Sequence, residues 1–299
     1  MRRGRLLKKS YLCISVAYLI WGFAPIFWKQ YTAYPQFYIL NIRFFWSSVL
    51  LLTVLFLRGQ GKLLRQLWNK KTILTFLICG AALYVNWLCN ILAAFTGQLI
   101  ELSMGQFLSP VLIIGLGAAL FHEHLTRTEW LSVLFAVFGL AAILISYGKF
   151  PWVIGLVSFS FFVYVVFNKS SAFPALLMTL CELLVLAPLS GGICLYYEYI
   201  GQGFFSTPSI LSCLHPLAIA AVSGIPLLLY ASAAKDLSIV ALGFFQYSAP
   251  LLALLIGVFL YGEPVDNGKL ISLGFIAVAV VIYLWAQRAR PSHAKKSSS

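Results

Sequence analysis

Two charged residues stand inside long apolar stretches. Arg43 lies within Leu40-Asn41-Ile42-Arg43-Phe44-Phe45, and Glu182 lies within Leu180-Cys181-Glu182-Leu183. A charge near the centre of a bilayer costs about 3 kcal/mol on insertion scales, so it faces a cavity, a partner or a substrate. Arg43 suits an anionic group, and Glu182 suits a cationic group or a proton in transit. Tyr34-Pro35 precedes Arg43 by the interval at which Phe173-Pro174 precedes Glu182, so a shift of 139 residues maps one charge onto the other. Two readings follow. Either the pair approaches or shares a substrate near the mid-plane, or it is an ion pair that locks two helices together.

Other polar residues in apolar surroundings add to the set. Asn86 and Asn90 are four residues apart with Trp87 beside them, so both amides project from one helix face. They suit a ligand or, equally, a neighbouring helix. Pro110 and Pro250 each lack an N–H and free the carbonyl four residues earlier, which belongs to Gln106 and Gln246. Pro25 does the same for Trp21. Helix breaks beside polar side chains point to the binding region of a transporter. The candidate substrate-binding residues are therefore Arg43, Glu182, Asn86, Asn90, Gln106, Gln246, Trp21 and Tyr247, with Trp87 as a further wall. Glu182 and Glu101 are the candidates for coupling, and Pro25, Pro110 and Pro250 are the expected breaks.

Other chemistries lack their residues. No GxxxxGK[ST] phosphate loop occurs, so direct ATP drive has no basis within this chain. The four histidines are scattered, and His122-Glu123-His124, at a helix end, is the one cluster resembling a metal set. No metal, cofactor or catalytic residue is expected.

The elements that position these residues are membrane helices. Of 299 residues, 61% are hydrophobic and 10% charged, and the mean hydropathy is +0.92. Apolar runs predict spans near 11–29, 36–57, 72–94, 99–121 and 128–147, then near 150–168, 174–197, 209–234, 238–261 and 268–287. The expected class is an all-α integral membrane protein of ten transmembrane helices. The net charge of +13 sits in clusters between apolar segments, so it is topological and implies no nucleic acid. With both termini inside, seventeen Lys and Arg fall on the inner side and Lys29, Lys149 and Lys269 on the outer side, with Arg43 alone in a span. The six cysteines show neither metal spacing nor a disulfide framework. The first apolar run lacks a small-residue cleavage site and is expected to stay in the membrane.

A shift of 140 aligns Leu102 with Leu242, Gln106 with Gln246, Pro110 with Pro250, Leu120 with Leu260 and Glu123 with Glu263, with no gap. It also aligns Phe27 with Phe167 and Lys29 with Lys169. The expected organisation is a basic segment over 1–10, a five-helix repeat over 11–147, a second over 150–287 and a basic tail over 288–299. Five is odd, so the second repeat is inverted.

The sequence resembles the RarD-type proteins of the EamA branch of the drug/metabolite transporter superfamily. The resemblance rests on Ala17-Tyr18-Leu19-Ile20-Trp21-Gly22-Phe23-Ala24-Pro25, Arg43 with Trp46, Asn86-Trp87, Glu182, Pro226-Leu227-Leu228, Leu242-Gly243-Phe244-Phe245-Gln246-Tyr247 and Tyr261-Gly262-Glu263. It implies a ten-helix permease of the bacterial inner membrane, with cytoplasmic termini and alternating access. Gln106 and Ser109 depart from the family's usual Tyr and Asn, and Ile42 from its usual His, which places the substrate of relatives in doubt. The expected function is a secondary transporter of a small polar or zwitterionic metabolite, such as an amino acid or S-adenosylmethionine-like solute, or of a drug. Protons or a counter-transported metabolite would drive it. A membrane-embedded lipid-modifying enzyme and a non-transporting scaffold are the alternatives.

Overall fold

The computed structural model describes residues 2–66, 70–97, 99–147, 152–206, 209–262 and 267–289. At some helical positions within those ranges, Glu101 among them, only the backbone is described. Glu263, Lys149 and residues 290–299 of the expected basic tail lie outside the described residues.

Every long regular element among the described residues is an α-helix. The first half holds α1 (Arg2–Lys29), α2 (Gln36–Leu57), α3 (Lys70–Thr96), α4 (Leu99–Gln106), α5 (Leu108–Leu120) and α6 (Arg127–Tyr147). The second holds α7 (Trp152–Ser170), α8 (Ala175–Leu184), α9 (Ala187–Tyr199), α10 (Ile210–Ala234), α11 (Ile239–Gln246), α12 (Ser248–Phe259) and α13 (Asn267–Ala289). Six helical segments are long and apolar enough to cross a bilayer, α11 and α12 counting as one, and the α8–α9 pair makes a seventh. Leu108–Leu120, Gly155–Ser170 and Leu270–Ala286 are shorter apolar helices.

The core is largely apolar, but the outside is apolar too, and several polar side chains are buried. Leu57, Ile145 and Phe259 are more than 80% exposed, while Asn41, Arg43, Ser47 and Glu182 are at most 3% exposed. Apolar side chains cover the outside because hydrocarbon surrounds it, and polar ones turn inward to find partners.

The expected ninth span is one helix broken at Tyr247, and the expected fourth is broken at Phe107. Both breaks fall three residues before a proline. Pro110 and Pro250 occupy the first turns of α5 and α12, where a missing N–H is tolerated, and leave Gln106 and Gln246 to end α4 and α11. Pro25 behaves differently from expectation: α1 runs through it unbroken, as α10 runs through Pro216 and Pro226. The expected seventh span is two helices bent by 50°, with Pro188 in the first turn of α9. The long apolar run around this proline hid the bend from pattern reading.

Helix starts and ends recur at the intervals read from the sequence. Pro35 and Pro174 are the N-caps of α2 and α8, 139 residues apart and with nearly equal backbone angles. Helix α11 begins and ends 140 residues after α4. Packing partners recur likewise: α1 packs on α10 and α12 as α7 packs on α3 and α5, and α5 packs on α11 as α12 packs on α4. Lys29 stands 4.0 Å from the Tyr261 ring centroid, and Lys169, 140 residues on, stands 5.5 Å from that of Phe121.

Side chains fasten one end of these broken helices. The Ile239 and Val240 N–H groups donate to the two carboxylate oxygens of Glu123 at 2.8 and 3.3 Å, and the Ala241 N–H donates to Ser238 Oγ. A carboxylate at a helix N-terminus both accepts orphan N–H groups and meets the positive end of the dipole. Lys169 Nζ donates to the Leu237 carbonyl at 2.6 Å, and Lys235 Nζ donates to the carbonyls of Asn168 and Ser171.

Removing this cap in Glu123→Ala should speed hydrogen exchange at the Ile239 and Val240 amides about fivefold, the equivalent of roughly 1 kcal/mol. Unchanged protection would show that the carboxylate contributes nothing. A second close point is Gly80, where a Cβ would lie 2.5 Å from the Glu182 carbonyl oxygen. Gly80→Ala should therefore force α3 and α8 apart and destabilise the protein by about 1–3 kcal/mol, read as a lower melting temperature in detergent.

Candidate functional site

One stripe of α1 supplies much of the site. Tyr18, Trp21, Pro25 and Trp28 recur at intervals of three and four, so they share a face. They line a cavity of about 80 Å³ together with Arg43 of α2, Asn86, Trp87 and Asn90 of α3, Gln106 of α4 and Ser109 of α5. Ala24 of α1, Leu99 and Leu102 of α4, Phe161 of α7 and Gln246, Ala249, Pro250 and Ala253 of the α11–α12 pair complete the wall. Both helix breaks thus open onto one space.

The Arg43 guanidinium lies between two indoles, its central carbon 4.2 Å from the Trp28 ring centroid and 4.0 Å from that of Trp87. Its Nε donates to Ser223 Oγ of α10 at 3.1 Å. Among the described residues, two π-faces and a hydroxyl offset the charge without a carboxylate. Nη1 is buried and lacks a partner in the protein.

The amides form a chain across three helices. Gln106 Nε2 donates to Asn90 Oδ1 at 2.8 Å, and Asn90 Nδ2 donates to the Asn86 carbonyl at 2.8 Å. Asn86 Nδ2 donates to the Val157 carbonyl at 3.2 Å. These amides are largely occupied with one another, which fixes α4 on α3 and α3 on α7.

Four other polar atoms of the wall resemble Arg43 Nη1. Tyr18 Oη, Trp21 Nε1, Ser109 Oγ and Gln246 Oε1 are buried without a hydrogen-bond partner. Each such group costs about 1–3 kcal/mol, so five of them around one cavity ask for an occupant, whether water or ligand.

The Arg43–Glu182 pair expected from the sequence does not form. Glu182 is fully buried in α8 outside the cavity lining, with Oε1 accepting from Tyr164 Oη at 3.3 Å and Oε2 unpartnered. Asn168 Nδ2 donates to Tyr164 Oη at 3.2 Å and extends this network. Arg43 turns instead to the indoles and Ser223, whose geometry satisfies it where it stands. Between the two sites lie Tyr18, Tyr230 and Tyr164, their successive ring centroids 6.1 and 5.9 Å apart. Lys235, beyond the end of α10, feels Glu182 as well: burial pulls its ammonium below the usual range, and the carboxyl opposes that shift.

Of the other expected residues, Trp21, Asn86, Asn90, Gln106, Gln246, Pro25 and Pro250 line the cavity, with Trp87. Pro110 adjoins Ser109 without lining it, and Tyr247 packs beside Phe107 and Phe244 outside the lining. The side chain of Glu101 lies outside the described residues. Sequence reasoning missed Tyr18, Trp28 and Ser223. The stripe spacing on α1 carried the first two, and Ser223 had no local signal.

Comparison with known proteins agrees with this architecture. Residues 8–145 match the EamA-like transporter family. The chain is 30% identical to the uncharacterized transporter YojE of Bacillus subtilis over 294 residues, covering 96% of this chain and 98% of that protein. It is 33% identical to RarD of Salmonella typhimurium and 31% identical to RarD of Escherichia coli, each over 284 residues and at least 93% of both chains. A solved crystal structure 19% identical superposes with a TM-score of 0.66 over 93% of this chain and 98% of its own, a likeness of fold. With its apolar exterior, multiple membrane-crossing helices and these relatives, the chain is a multi-pass membrane protein that belongs to the EamA-like transporter family, as a RarD-type permease.

Proposed function

We propose that the protein is a secondary transporter that carries a small polar solute through the Arg43 cavity by alternating access of two inverted five-helix halves. The observation that carries this reading is the set of five unpartnered polar atoms around one internal cavity. Seven other buried polar atoms among the described residues also lack a partner, but these five share one cavity, where a single solute could serve them together.

Several features support the two halves. The three shorter apolar helices bring the seven possible spans to ten when each is counted as crossing. Phe107 and Tyr247, the residues at the two breaks, are 140 apart in sequence and have ring centroids 6.2 Å apart. Trp21 and Phe161, also 140 apart, approach to 6.3 Å on the cavity wall. Residues that touch their own repeat mates lie on a two-fold axis. On this reading the axis passes through the cavity, where an inverted-repeat transporter binds its substrate. The paired Lys29–Tyr261 and Lys169–Phe121 contacts then mark equivalent positions at the two mouths. The distribution of Lys and Arg favours cytoplasmic termini in a bacterial inner membrane.

Glu182 is the candidate coupling residue. It is a buried carboxyl separated from the cavity by tyrosines, so a proton there changes the charge between α8, α7 and α10 without occupying the solute's place. Glu101 is the second candidate.

Uptake of a labelled metabolite panel into proteoliposomes, with and without a pH gradient, tests the proposal. Some solute should accumulate, and Arg43→Ala should weaken its apparent affinity about 10–100-fold, the loss of a charge-assisted hydrogen bond. Failure of every solute to move, in protein that remains folded, would overturn the transporter reading. Glu182→Gln should abolish gradient-driven accumulation yet keep solute exchange at equal concentrations. Retained gradient response would remove Glu182 from coupling.

A further inference from the structure

The unspent hydrogen-bonding capacity of the cavity specifies an electrical class of solute. Arg43 Nη1 and Trp21 Nε1 can only donate, Tyr18 Oη and Ser109 Oγ can donate or accept, and Gln246 Oε1 can only accept. Arg43, Ser109 and Gln246 are at most 6% exposed, so water outside the protein does not serve them. Among the described lining residues, Arg43 carries the single formal charge, and none is acidic. The ends of α4 and α11 at Gln106 and Gln246 and the first turns of α5 and α12 at Ser109 and Ala249 reach the same wall, so dipole ends of opposite sign offset one another and the charge there is that of Arg43. The carboxyl that would neutralise a cationic solute, Glu182, stands behind Tyr18, Tyr230 and Tyr164 and already accepts from Tyr164.

Resting on the transporter reading above, the geometry points to a small organic monoanion as the solute: a carboxylate that carries one neutral hydroxyl or amide donor. The carboxylate accepts from Arg43 and Trp21, and its planar oxygens suit a guanidinium whose central carbon already stands over two indole rings. The neutral donor answers Gln246. Aliphatic or aromatic parts of the solute lie along Trp21, Phe161, Leu102 and Ala253. An ammonium group would find no counter-charge among the described lining residues and would face the field of Arg43, so a zwitterion loses at one end what it gains at the other. A dianion such as phosphate meets one guanidinium alone. The space of about 80 Å³ is below the usual size of a ligand pocket, so the solute is small or the halves separate to admit it.

Two matched sets of probes isolate charge from shape: lactate, alanine and lactamide, then 3-phenyllactate, phenylalanine and phenyllactamide. Trp21, Trp28 and Trp87 line the cavity, so quenching of intrinsic fluorescence of the purified full chain in nanodiscs reads binding. In at least one set the carboxylate should bind about tenfold or more tightly than its zwitterionic and neutral analogues. Arg43→Gln, checked for folding by its elution profile and helical circular dichroism, should remove that preference. Equal or tighter binding of alanine and phenylalanine, preference for inorganic phosphate, or silence of both carboxylates while another solute is transported would overturn the anion assignment and leave the transporter standing. Absence of transport of any solute, in the proteoliposome assay, would instead defeat the reading on which this inference rests.

Discussion

A guanidinium inside a protein that is itself inside hydrocarbon is the constraint from which much else follows. Arg43 cannot be solvated by lipid, and among the described residues no carboxylate comes to it. Its charge is met by two indole faces and one serine hydroxyl, which come from α1, α3 and α10 while the arginine comes from α2. Four helices are thereby fixed around a single ion. Nη1 of that ion has no partner among the described residues, and Arg43 lines the cavity. On the proposed function, stability and recognition draw on the same side chain, as is usual for an intramembrane charge.

The broken helices serve the same end. A continuous α-helix presents no free backbone and buries its side chains at fixed intervals. Breaking α4–α5 at Phe107 and α11–α12 at Tyr247 brings Gln106, Ser109, Gln246 and Ala249 to one wall without exposing polar backbone to lipid, because the breaks lie within the protein. The amide chain from Gln106 to Val157 then holds one break against α3 and α7. No comparable chain holds Gln246 Oε1, which makes the two halves unequal at the place where the proposed axis crosses the cavity.

Much of this was legible in the sequence because periodicity and punctuation are local. The helix positions followed from apolar runs, the two breaks from Pro110 and Pro250, and the 140-residue interval from Gln, Pro and Glu recurring together. What depends on three-dimensional choice was not legible. Arg43 and Glu182 have opposite charges and equivalent positions, so pairing was the natural expectation. Their side chains instead meet nearer groups, Trp28, Trp87 and Ser223 for one and Tyr164 for the other. Ser223 is one serine among many in the chain. Pro25 illustrates the limit of a punctuation rule, since α1 absorbs it, while Pro188, read as part of an apolar run, marks a 50° bend.

A transported solute that occupies the Arg43 cavity would shield its wall from chemical modification, which cysteine protection reads. Ala253 lines the cavity and is nearly buried, whereas Leu57 faces outward. In a chain whose native cysteines are replaced, a cysteine placed at each position is modified by a small thiol reagent in membranes. A solute carried by the protein should slow modification at Ala253→Cys and leave Leu57→Cys unchanged. Transport of that solute with no protection at Ala253→Cys would contradict its passage through the Arg43 cavity.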